Sequence, residues 1–130
     1  MNKKLLILGS VLGLLSVVLG AFGAHGLKKL ISIEAIQSFE TGVRYQMYHA
    51  LLLLFVANQT ILQFKTKRMF YYLILFGVIL FSGSIYLLAT NTLTSFNFKI
   101  IGFITPIGGT LLIAGWAILV LNFIKLKQNN

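Results

Sequence analysis

Residues 42–55 read "GVRYQMYHALLLLF", and five side chains able to do chemistry stand there at the mouth of an apolar run. His49 titrates near neutrality and can take or give a proton. Arg44 can hold an anion, while Tyr45, Gln46 and Tyr48 can each donate and accept a hydrogen bond. Glu40 stands four residues before Arg44, the spacing of an ion pair on a helix. The set could relay protons, bind an anion or tie helices together. As a catalytic set it is thin, because Glu40 and His49 can act as acid and base but no recognisable nucleophile or group of metal ligands accompanies them. Histidines on neighbouring helices of a membrane bundle can also hold a haem. His25 is the only other histidine, and "GAHG" gives it a glycine-rich loop setting, so the expected role is a hydrogen bond, with His25 or His49 bridging the first two helices. No cofactor or metal is expected.

The elements that must position these residues follow from composition. Of 130 residues 58% are hydrophobic and 10% charged, and the mean hydropathy is +0.91, far outside the range of a water-soluble domain of this size. Four runs, residues 5–24, 45–62, 70–90 and 100–124, approach or exceed the roughly 20 helical residues that cross a hydrocarbon core of about 30 Å. They are continuous rather than alternating, so helices are expected and barrel strands are not. Without cysteine there is no disulfide framework and no thiolate metal site. Lys3 and Lys4, the apolar run and "AFG" at 21–23 also resemble a signal peptide. The run is longer than a usual signal core, and an uncleaved first helix is expected.

Eleven basic residues against two acids give a net charge of +9. The cations fall in short clusters between apolar runs with no aromatic platform, so no nucleic acid partner is expected. Lys3, Lys4, Lys65, Lys67, Arg68, Lys125 and Lys127 fall on one side of the expected topology. Lys28, Lys29, Arg44 and Lys99, with both acids, fall on the other. The positive-inside bias then predicts cytoplasmic termini.

Between the first two runs, Ser32 can cap a helix that carries Ile33, Ile36, Phe39 and Val43 on one face and Glu34, Gln37, Ser38 and Thr41 opposite. The expected fold is therefore an all-α integral membrane protein: one domain, a four-transmembrane-helix bundle, with a short interfacial amphipathic helix between helices 1 and 2. Gly42 permits a bend or a continuous helix there. Gly9, Gly13, Ser16 and Gly20 recur every three or four residues on the first run, and small residues also stud the third (Ser82, Gly83, Ser84) and the fourth (Thr105, Gly108, Gly109), so close helix packing is expected. Pro106 fits the first turn of a helix capped by Thr105, with "FKIIGFI" as an irregular entry.

At about 100° per residue, Arg44 and Tyr48 share one side of the second helix, with Tyr45 and His49 beside them and Gln46 further round. Such an arc should not face lipid, and it is expected in the outer third of the span. Arg44 is expected to be buried, bonded to Glu40 or to a backbone carbonyl. The indole of Trp116, near the middle of the fourth run, is expected to turn its N–H inward to Ser82 or Ser84.

The blocks "LGAFGAHGL" (19–27), "FETGVRYQMYHALLLL" (39–54), "FSGSIYLL" (81–88) and "TPIGGTLLIAGW" (105–116) resemble, in the same order, the family of small uncharacterised four-helix bacterial membrane proteins typified by YgdD and YwdK. The resemblance implies a multi-pass protein of the bacterial cytoplasmic membrane. Its signature falls on Gly20, Gly23, His25, Arg44, Tyr45, Tyr48, His49, Ser82, Gly83, Tyr86, Pro106, Gly108, Gly109 and Trp116. Gly42 departs from it, standing where alanine is expected. No activity attaches to the family. Two functions stay open: a structural, lipid-binding or partner-binding module, with the bilayer, a second copy or another membrane protein as partner, or a subunit of a small transporter or channel using the outer polar cluster.

Overall fold

The structure is a computed structural model describing residues 1–95 and 97–127, with Phe98 described by its backbone alone. The helices are α1 (Asn2–His25), α2 (Ile33–Ala57), α3 (Phe64–Val78), α4 (Ser84–Ala89) and α5 (Ile104–Ile124). A π-helical turn, Ile79–Gly83, joins α3 to α4 in one rod, and a short 3-10 turn, Phe98–Ile101, leads into α5.

Three helical stretches, Asn2–Lys29, Phe64–Ala89 and Lys99–Ile124, are long and apolar enough to cross a membrane. The second helix differs from expectation. Ser32 does cap it, accepting from Ala35 N–H at 3.1 Å, but α2 then runs unbroken for 25 residues through Gly42 to Ala57. The separate amphipathic helix and the second apolar run are thus one element, polar in its first half. It ends earlier than the apolar run because Asn58 folds back onto the Leu54 carbonyl at 2.9 Å.

Small residues set how closely the helices approach. α1 lies antiparallel to α2, with Gly9 against Ala50 and Leu54, Gly13 facing Ala50, Gly20 facing Val43 and Gly23 against the Phe39 ring. Ser16 is buried and donates to the Leu12 carbonyl at 2.8 Å. Two of the tight approaches bring α2 and α5 against the α3–α4 rod. A Cβ on Gly42 would stand 2.8 Å from Tyr86 Cε1, and one on Gly108 would overlap the backbone of Leu80 and Phe81 in the π-helical turn. Gly42 is therefore a contact point and not a bend. Gly109 has ordinary contact with Phe81, and a Cβ on Gly83 would meet no atom of another element within 4 Å among the described residues. Pro106 does lie in the first turn of α5, but no side chain caps that helix. The Thr105 hydroxyl pairs with Ser84 at 2.5 Å instead.

Two bonds fix which ends lie together. Lys67 Nζ donates to Asn2 Oδ1 at 2.9 Å, and Thr66 donates to Asn122 at 3.4 Å. The start of α1, the α2–α3 turn and the last turn of α5 therefore share one end of the bundle.

Candidate functional site

The buried face of α2 carries the polar residues that other helices use. Gln46, 3% exposed, donates from Nε2 to the Leu12 carbonyl of α1 at 2.9 Å and accepts the Tyr86 hydroxyl of α4 at 2.7 Å. The carbonyl can only accept, so the amide orientation is settled by its partners. One turn away, Ser82 donates to the Gly42 carbonyl at 2.7 Å. One carboxamide and two hydroxyls thus connect α1, α2 and the α3–α4 rod.

His49 makes the next link. Its Nδ1–H donates to the Tyr45 carbonyl at 2.6 Å, and its Nε2 accepts the indole N–H of Trp116 at 3.1 Å. A carbonyl only accepts and an indole N–H only donates, so both bonds exist together only in the neutral ring with its proton on Nδ1. Protonating Nε2 would break the bond to Trp116. Beside the pair lies a recess of about 320 Å³ walled by Tyr45, His49, Phe81, Gly109 and Trp116 among others. It opens on the side of the bundle, where Tyr45 is 41% and Trp116 47% exposed.

Several expected contacts are replaced by others. Trp116 does turn its N–H inward, but to His49 and not to Ser82 or Ser84, and the residue stays exposed on the side of the bundle. His25 is exposed at the end of α1, and His49 joins α2 to α5, so neither histidine bridges the first two helices. Arg44 is exposed and donates to Thr41 Oγ1 at 3.1 Å, not to Glu40, which is also exposed. Continuous helix through Gly42 explains the change: it leaves Arg44 and Glu40 on the outer side of α2, where the hydroxyl one turn back is the nearer partner.

The cluster extends deeper than expected at two of its residues. Gln46 meets Leu12 near the middle of α1, and His49 meets Trp116 near the middle of α5. Arg44 follows Val43, which faces Gly20, a residue five positions or about 7.5 Å inside the end of α1. Arg44 therefore lies within the outer third of the bundle, as expected, while Gln46 and His49 reach partners near mid-height, because the first half of α2 packs beside α1 instead of lying above it.

One residue escaped the sequence reading. Lys67, counted among the topology-setting charges, is 5% exposed. It donates to the Ala57 carbonyl at 3.3 Å as well as to Asn2, so it closes the carbonyl end of α2, where the helix dipole favours a cation. The only signal available was its place ten residues after the end of a helix, which is too weak to single it out from Lys65 and Arg68.

The fold and this polar interior define an all-helical protein of the membrane. The family described as "Protein of unknown function (DUF423)" matches residues 19–109, and the chain belongs to it. It is 40% identical to "UPF0382 membrane protein SSP2132" of Staphylococcus saprophyticus, over 95% of this chain and 99% of that protein. It is 40% identical to "UPF0382 membrane protein YwdK" of Bacillus subtilis over 95% and 98%. To "UPF0382 inner membrane protein YgdD" of Escherichia coli K12 it is 37% identical over 98% and 94%. No solved structure matches the chain.

Proposed function

We propose that the chain is a partner-binding module of the bacterial cytoplasmic membrane, with four spans, α2 being the fourth, and with the outer face of α2 as its docking surface. The observation that carries this is the exposure of Arg44, Tyr45 and Tyr48 on the outer side of α2. A guanidinium facing lipid costs up to about 2.5–3.5 kcal/mol on insertion scales, the figure for a helix centre, and a partner supplying an acceptor beyond Thr41 relieves that cost. Glu34, Gln37, Thr41, Arg44, Tyr48, Leu51 and Phe55 form one stripe at alternating spacings of three and four along α2, the seam by which one helix packs on another. Both termini are assigned to the cytoplasm, supported by the gathering of Lys3, Lys4, Lys65, Lys67, Arg68, Lys125 and Lys127 at one end of the bundle.

A transport role has less support. Gln46, His49, Ser82 and Tyr86 spend their polar atoms on one another, on the Trp116 indole and on helix carbonyls, and among the described residues no buried side-chain nitrogen or oxygen lacks a partner. The test is a photo-crosslinking residue at Tyr48 in native membranes, with Leu14, which is 65% exposed on α1, as the control. A discrete protein adduct from position 48 and lipid adducts alone from position 14 are expected. Lipid adducts alone from both would overturn the proposal.

A further inference from the structure

A second groove lies on the other side of α5, away from the His49 recess. Its volume is about 490 Å³, and Lys65, Arg68, Met69, Tyr72, Phe76 and Leu111 are among its walls. Lys65 and Arg68 are exposed at its mouth. Below them Met69, Tyr72 and Phe76 are 48%, 40% and 51% exposed, and the Tyr72 and Phe76 rings stack with centroids 6.4 Å apart. The result is a charged entrance over an aromatic trough.

We infer that this groove seats one anionic phospholipid, its phosphate on Lys65 and Arg68 and one acyl chain along Met69, Tyr72 and Phe76. Three observations favour that occupant. The first is charge: both acidic side chains of the protein, Glu34 and Glu40, belong to the first half of α2, while the groove opens at the end where α2 finishes and α3 begins. Its mouth therefore carries positive charge with no acidic side chain beside it, and a zwitterionic headgroup gains less there than an anionic one. The second is length. Eleven residues separate Lys65 from Phe76, a rise of about 16 Å at about 1.5 Å each, which matches half of a hydrocarbon core of about 30 Å. The third is where the groove ends. Leu111 closes it beside Leu112, whose side chain packs on Gly77, so the trough is one leaflet deep. A partner helix crossing the membrane would need twice that length; a lipid chain does not. The inference rests on the chain crossing the membrane, and not on the α2 docking surface.

The full-length protein, purified in detergent, is titrated with phosphatidylglycerol, with phosphatidylcholine and with inorganic phosphate, following the thermal midpoint. A saturable rise with phosphatidylglycerol alone is expected. In Lys65→Gln/Arg68→Gln its apparent affinity should fall about thirtyfold, the effect of removing two cations each acting near a membrane surface. Lys3→Gln/Lys4→Gln removes the same charge from the same end outside the groove, and should keep wild-type affinity. Equal weakening in both double variants would reduce the effect to the general charge of that end and overturn the inference, as would an equal response to phosphatidylcholine or to inorganic phosphate. A photoreactive phosphatidylglycerol, with the reactive group on its acyl chain, gives a readout that needs no variant. It should label the peptide containing Tyr72 and Phe76 in the wild-type protein, and labelling spread over the lipid-facing helices would overturn the inference even if the variants fail to fold.

Discussion

On the buried face of α2, Gln46 and His49 have their polar atoms matched by Leu12, Tyr86, Tyr45 and Trp116. On the opposite face of the same helix, Arg44 donates to Thr41 within its own element and, among the described residues, to no other helix, and Tyr48 is 53% exposed. Four residues separate Tyr45 from His49, so the contrast is not one of composition or depth. It is one of direction: the side of α2 that meets α1, the α3–α4 rod and α5 has used its hydrogen-bonding capacity, and the other side keeps its own. A polar arc at the mouth of an apolar run is therefore two separate things, an internal tie and an external surface, and substitutions should tell them apart.

The largest effect is expected where the buried face also touches closely. Gly42→Val would drive its side chain into the Tyr86 ring and against Ile85, 3.2 Å from the added Cβ, and should lower unfolding stability in micelles by about 1–3 kcal/mol. Next, Gln46→Leu strands the Tyr86 hydroxyl and should cost about 1–3 kcal/mol, whereas Gln46→Leu/Tyr86→Phe should recover part of that loss. Additive losses would show that the two side chains are not coupled. Third, His49→Ala and Trp116→Phe should each cost about 1 kcal/mol, the scale of a hydrogen bond between helices in a membrane, and the double variant should cost less than their sum.

The smallest effect belongs to the outer face. Arg44→Leu should change the stability of the isolated protein by no more than about 0.5 kcal/mol, and Glu40→Gln/Arg44→Leu should do the same. An energetic coupling between these two sites, read from the same unfolding curves, would restore the ion pair that their spacing invites.

How much of this could be read from the chain depended on whether a feature is local. The Ser32 cap, the apolar runs and the small-residue strip on α1 are local, and the structure uses Ser32, Gly9 and Ser16 much as their types and spacing require. Register between helices is not local. Nothing within residues 33–57 says that this segment lies along α1 instead of across its end, and that alone moved Gln46 and His49 to mid-height. The π-helical turn at Ile79–Gly83 likewise lies where the backbone of Gly108, a residue of another helix, comes closest. The burial of Lys67 was illegible for the same reason, because its partners are Asn2 and Ala57, contributed by α1 and by the end of α2. For Trp116, the inward N–H followed from the cost of stranding a donor in the membrane, while the choice of His49 over Ser82 or Ser84 depended on how α5 is rotated against α2.

The central claim, that the buried polar face of α2 ties helices together and does not conduct, is tested most directly by proton flux into vesicles containing the purified protein, under an imposed pH gradient. The account predicts the same slow leak for protein-free vesicles, wild-type protein and His49→Ala, with the His49→Ala protein unfolding more easily in micelles. A wild-type flux well above the leak, abolished by His49→Ala in a protein that is still folded, would contradict it.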